Sequence, residues 1–195
     1  MTNSKLPINK VIFLGILFLA AFIERVIFDL GPNVELITMA LILSSFYFGK
    51  KESFWLTFAI IATSDAILGN SNIFLFTWSG FLIPALFASS LIKKLITNHK
   101  SQITKKIFDA FSLTAFGLSS NIFFYFWTNF GVWLIGNLYP HTSYGLLMSY
   151  INAIPFLRYQ LTSTLIFVPL GLILTEIAIY LLKNYQARIR VSLVK

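Results

Sequence analysis

Six apolar stretches of helical length divide the chain, at residues 11–28, 34–48, 54–68, 73–92, 107–126 and 161–182. A soluble domain of 195 residues has no interior large enough to hide all six, so lipid must solvate them. Composition agrees, because only 11% of residues are charged against the roughly 25% of soluble domains. Three of the stretches approach or exceed the ~20 residues that cross ~30 Å of hydrocarbon. The second and third hold fifteen residues each and reach only ~22 Å. Folding them as a re-entrant hairpin would bury Lys50 and Lys51 at its tip, at roughly 2.5–3.5 kcal/mol each. Two short helices whose lysines snorkel to the surface are the better solution. The expectation is one all-α integral membrane domain, residues 1–195, with six transmembrane helices.

Lys and Arg set the orientation. With the N-terminus inside, the cytoplasmic segments hold Lys5, Lys10, Lys50, Lys51, Lys93, Lys94, Lys100, Lys105, Lys106, Lys183, Arg188, Arg190 and Lys195. Of the 15 basic residues only Arg25 and Arg158 fall elsewhere. If the short apolar stretch 144–156 also crossed, the basic C-terminal tail would face outside. That stretch is therefore expected to be a re-entrant or half-helix segment on the outer side, before the last helix. The protein is expected in the cell membrane as a multi-pass protein with both termini cytoplasmic. Its first apolar run reads as a retained helix, since bulky residues precede Ala20-Ala21 where a cleavage site needs small ones.

The net charge of +8 comes from these cytoplasmic anchors and calls for no nucleic-acid partner. With no Cys there is no disulfide, thiolate nucleophile or Cys-based metal site. No phosphate-binding GxxxxGK[ST] run occurs, and no cofactor is expected.

Turn residues and polar side chains collect on the outer side, in "ERVIFDLGPNVEL", "SDAILGNSN" and the long segment from Trp127 to Gln160. Irregular backbone at membrane depth persists where it lines a cavity or packs on protein. Asp65 either binds a cationic ligand or a metal, with Glu35 and His141 as conceivable co-ligands, or caps the end of helix three. Arg25 and Asp29, one turn apart, suit an ion pair, and Glu176 in the last helix suits a snorkel or a partner contact. Only His99 and His141 exist, without metal-ligand spacing, so no metal site is expected. Among the aromatic residues, Trp133, Tyr139 and Tyr150 sit between Gly, Asn and Pro, as flat walls of a pocket or as a plug packed on itself. The candidate substrate-binding set is Asn129, Trp133, Tyr139, Tyr150, Asn152, Asp65 and Asn33. No catalytic residue stands out. Ala59, Ala62, Thr63 and Ala66, and likewise Pro84, Ala85, Ala88 and Ser89, form small-residue faces for close helix approach.

The run "TNFGVWLIGNLYPHTSYGLLMSYINAIPF" resembles the signature of a family of small bacterial integral membrane proteins with no assigned function. The matching residues are Thr128 to Trp133, Tyr139-Pro140, Thr142, Gly145-Leu146, Tyr150 and Ala153 to Phe156. "PNVELITMALILSSFYFG" and "SDAILG" resemble its earlier blocks. The chain departs from that pattern at Arg158 and Thr162-Ser163. In layout the family is similar to the S components of energy-coupling-factor transporters. That resemblance implies an outward-facing pocket for a vitamin or other small-molecule substrate, with a coupling membrane subunit and ATPases as partners. An integral membrane enzyme and a structural or assembly protein are the alternative classes.

Overall fold

Asn9 begins the first helix by accepting the Val11 N–H on its side chain at 2.8 Å, an N-cap that satisfies one otherwise orphaned donor. From there α1 runs Lys10–Ile23, and its last turn widens into a π-helical stretch, Glu24–Phe28. The computed structural model describes residues 8–28, 30–31, 33–96 and 101–193, and no strand occurs among them. Five more helices follow: α2 (Ile37–Tyr47), α3 (Lys50–Leu68), α4 (Phe74–Leu95), α5 (Gln102–Ile135) and α6 (Ser143–Leu193). Each expected apolar run lies in a helix of its own.

Four segments are long and apolar enough to cross a membrane: Lys10–Phe28, Phe74–Leu95, Thr104–Ile135 and Ser143–Ile189. At 11 residues, α2 rises only ~17 Å. Its residues from Ile37 to Ser45 are all buried, so it is a central core element with no lipid face. Gly49, with φ 107°, makes the tight connection from α2 to α3. Of the two small-residue faces, Pro84, Ala85, Ala88 and Ser89 of α4 are buried within the chain, whereas Thr63 and Ala66 of α3 are exposed.

The expected outer loop and half-helix need correction. Residues 127–135 continue α5, and residues 144–156 are the start of α6, with no break before Leu193. Polar residues do not end α5 because they bond their own helix. Thr128 Oγ1 donates to the Phe124 carbonyl and Asn129 Nδ2 to the Tyr125 carbonyl, at 2.8 and 2.7 Å. Gly136 lies just past the end of α5, and the loop is confined to residues 136–142. At the start of α6, Thr142 Oγ1 accepts the Gly145 N–H. The helix continues through Pro155 and Pro169. Donors from α5 reach its backbone, Tyr125 Oη to the Tyr150 carbonyl and Asn121 Nδ2 to the Gln160 carbonyl. With 51 residues, α6 measures ~77 Å, so it extends well beyond one ~30 Å hydrocarbon layer.

Gly117 marks where α2, α5 and α6 meet. A Cβ there would lie 2.7 Å from Thr164 Cγ2 and 2.8 Å from Ile42 Cδ1, whereas one at Gly15 meets nothing within 4 Å. Gly117→Val should therefore lower the unfolding midpoint in detergent by an amount corresponding to about 1–3 kcal/mol. Gly15→Ala should leave it unchanged or raise it by about 0.5–1 kcal/mol. Equal effects of the two substitutions would contradict this packing.

Candidate functional site

Fifteen helical steps separate Lys10 from Arg25 on the first helix, and fifteen separate Lys50 from Asp65 on α3. Each interval rises ~22 Å, so both charges reach the same depth, toward the end of the bundle away from the lysines. There Arg25 Nη2 donates to Asp65 Oδ1 at 2.8 Å, and Nη1 lies 3.6 Å from Glu35 Oε1. The indole Nε1 of Trp78, on α4, donates to Asp65 Oδ2 at 2.7 Å. Asp65 is buried, and both its oxygens are engaged across the bundle; its carboxylate does not cap the following turn. The expected pairing of Arg25 with Asp29 falls on a residue outside those described.

Two further groups close this cluster. Glu24, buried in the π-helical stretch, accepts the Leu36 N–H at 3.2 Å. Ser163 of α6 clasps the Glu35 backbone: its Oγ accepts the Glu35 N–H at 3.1 Å and donates to the Glu35 carbonyl at 3.2 Å. Just below, Thr38 donates to Asn121 Oδ1, and Asn121 Nδ2 bonds Thr164 Oγ1 at 2.6 Å as well as the Gln160 carbonyl. Two carboxylates, Asp65 and Glu35, thus face one guanidinium, and the buried Glu24 adds a third acidic group to the cluster. Arg25 Nε, Glu35 Oε2 and Gln160 Nε2 are buried and have no hydrogen-bond partner among the described residues. Native proteins rarely leave such atoms unsatisfied without a functional reason.

The tip of the α5–α6 hairpin is built differently. Trp133 Nε1 donates to the Pro140 carbonyl at 3.1 Å, and its ring meets Phe130 and His141 at 5.6 and 5.9 Å. Asn152 Nδ2 donates to Tyr139 Oη at 3.2 Å, and Tyr150 Oη to the Phe126 carbonyl at 3.4 Å. The side chains of Asn129, Trp133, Tyr139, Tyr150 and Asn152 are thus paired with one another or with backbone.

Residues 5–187 match a family model described as a family of unknown function. The chain belongs to that family, DUF6580. No curated protein and no solved structure matches it.

Within this DUF6580 chain the expected site residues fall into two groups. Asn129, Trp133, Tyr139, Tyr150 and Asn152 gather at the hairpin tip. Asp65 lies in the ionic cluster, and Asn33, with φ 59° in the turn 31–34, stands two residues before Glu35. Sequence reasoning missed Trp78, Asn121 and Gln160, took Glu35 only as a conceivable metal ligand beside Asp65 and His141, and met Ser163 only as a departure from the family pattern, because each looks ordinary until separate elements bring them together. A legible trace was the equal spacing of Arg25 and Asp65 from their basic helix starts. Glu176, at the basic end, accepts from Tyr47 Oη at 2.9 Å and pairs with Lys106 Nζ at 3.0 Å.

Asp65→Ala should destabilise the protein by about 3–5 kcal/mol, since it strands a buried guanidinium. Lys106→Ala removes an exposed partner and should change stability by less than about 1 kcal/mol. Combining Asp65→Leu with Arg25→Met and Glu35→Gln, which leaves neither partner of Arg25 as an unpaired carboxylate, should recover part of the first loss. Unfolding curves in detergent measure all three, and a single mutant no worse than the triple would contradict the buried cluster.

Proposed function

We propose that this DUF6580 protein is a membrane-embedded substrate-binding subunit, similar in layout to the S components of energy-coupling-factor transporters. In this reading the site holds a small polar organic solute at Arg25, Glu35 and Asp65. The observation that carries it is the buried Arg25–Asp65–Glu35 cluster, where Arg25 Nε and Glu35 Oε2 stay buried beside the ion pairs. A solute with both an acceptor and a donor group would satisfy them, and the carboxylate excess favours one carrying positive charge. Ionisable residues at membrane depth are functional candidates by default, because bare charge is costly there. Asn33 shapes the turn that presents Glu35. In this reading Asn129, Trp133, Tyr139, Tyr150 and Asn152, gathered at the hairpin tip, would cover the site.

The accompanying topology has six spans, with α2 short and enclosed by the others and α3 charged at its start, and both termini in the cytoplasm of a cell-membrane protein. The clustering of lysines at the starts of α1, α3 and α5 and at the end of α4 supports it. A coupling membrane subunit and ATPases would supply energy, since the chain has no phosphate-binding loop of its own.

Native mass spectrometry of the purified protein should reveal a retained small molecule. Glu35→Gln should weaken its binding by about 1–3 kcal/mol while preserving membrane yield. Trp133→Ala should weaken it through loss of the cover. A parent that retains and binds no small molecule from a broad polar library would sink the reading. Undiminished binding by Glu35→Gln would move the site elsewhere. For topology, a reporter at the C-terminus should read cytoplasmic and one inserted at Asn137 external; the reverse at both positions ends the six-span arrangement.

A further inference from the structure

A groove of about 550 Å³ runs between α4 and α5, away from the ionic cluster, and none of the cluster's residues lines it. Pro84 and Phe116 are buried in it, while Phe87 and Leu91 of its lining are 56% and 43% exposed. Its hydroxyls are turned away: Ser119 Oγ donates to the Ala115 carbonyl at 2.9 Å and Ser120 Oγ to the Phe116 carbonyl at 2.9 Å. What remains is an apolar channel with one charged group, Lys94, near its basic end. Lys94 is exposed and makes no ion pair among the described residues.

We propose that this groove binds one acyl tail of an anionic phospholipid, with the phosphate at Lys94. The charge complements the headgroup, and the dimensions fit the tail. Ile83 to Lys94 spans eleven helical steps, ~16 Å, which is close to one leaflet of a ~30 Å hydrocarbon layer. A polar solute would find no free hydrogen-bonding group along the walls. Lys93, beside Lys94, adds to the local positive field.

The test uses the full chain in nonionic detergent, titrated with phosphatidylglycerol or phosphatidylcholine of identical tails and read by native mass spectrometry. Phosphatidylglycerol should bind roughly fivefold more tightly, the equivalent of about 1 kcal/mol for one basic side chain near the headgroup. Lys94→Gln should abolish that preference, and Lys51→Gln, on α3, should keep it. Ser119→Leu should lower the occupancy of both lipids by filling the groove. Equal binding of the two lipids by the parent, or a preference that survives Lys94→Gln, overturns the proposal. So does efficient cross-linking of Ala115→Cys copies into dimers in lipid-free micelles, which would assign the groove to a second copy. Because Lys94 is exposed, its substitution decides the matter even if Ser119→Leu fails to fold.

Discussion

Because α2 is enclosed on every side, it needs no lipid face, and its shortness shapes what surrounds it. The helix starts from the connection at Glu35 and Leu36 and descends ~17 Å to the basic end. Its neighbours are longer, so the connection before it lies below their far ends. That recess is what carries Glu35 into the bundle, level with Arg25 and Asp65. In lipid there is little hydrophobic drive for helices to associate, so close packing and hydrogen bonds must hold α2 in place. Gly117 and Gly171 provide close approach, the latter against Met39, and Thr38 bonds Asn121. Ser53 on α3 donates to the Leu41 carbonyl at 2.8 Å, joining the two helices near the basic end.

The positions of all six helices were legible in the apolar runs, and their ends much less so. Lys50, Lys51 and Glu52 form the first turn of α3, yet hydropathy alone excludes them from the stretch. The same holds for Lys93 and Lys94 in the last turn of α4. At the tip the misreading was larger. Thr128, Asn129, Gly131 and Pro155 look like loop vocabulary, and in isolation they disfavour helix. The structure offsets each locally: Thr128 and Asn129 bond carbonyls one turn back, and Gly131 lies against the Phe76 ring. Pro155, which offers no N–H to the Ile151 carbonyl, is carried within the unbroken α6. Composition carries no record of such compensation, since it depends on side-chain geometry within α5 and, for Gly131, on a ring from another helix.

The ionic cluster was half legible for a similar reason. Asp65 stood out as an acidic residue next to a helix-ending Gly, and a cap was the natural local account. A carboxylate at membrane depth, however, finds more stabilisation in a guanidinium and an indole N–H than in backbone amides that its own helix already uses. Arg25 draws Asp65 inward, and the π-helical widening at Glu24–Phe28 places Arg25 and Glu24 on the same side of α1 as that partner. Such widenings are often found at functional sites. Here it turns a plain helix end into a source of two charges pointing at the bundle.

The first two turns of α4 join the cluster to the hairpin tip. Trp78 holds Asp65, and the adjacent Ser79 accepts the Trp127 N–H at 2.8 Å. Phe76 packs on Trp127 and Phe130, at 5.2 and 6.3 Å between ring centres, and Phe130 packs on Trp133. The chain of contact from the buried carboxylate to the tip is therefore continuous and made of rigid aromatic rings. A solute that competes with Trp78 for Asp65 would have to displace an indole wedged against Phe58 and Phe74, at 5.8 and 6.1 Å. That displacement would shift the turn carrying Phe76 and Ser79, on which Trp127 and Phe130 rest. The same helical turn of α4 therefore supports both the buried carboxylate and the hairpin tip.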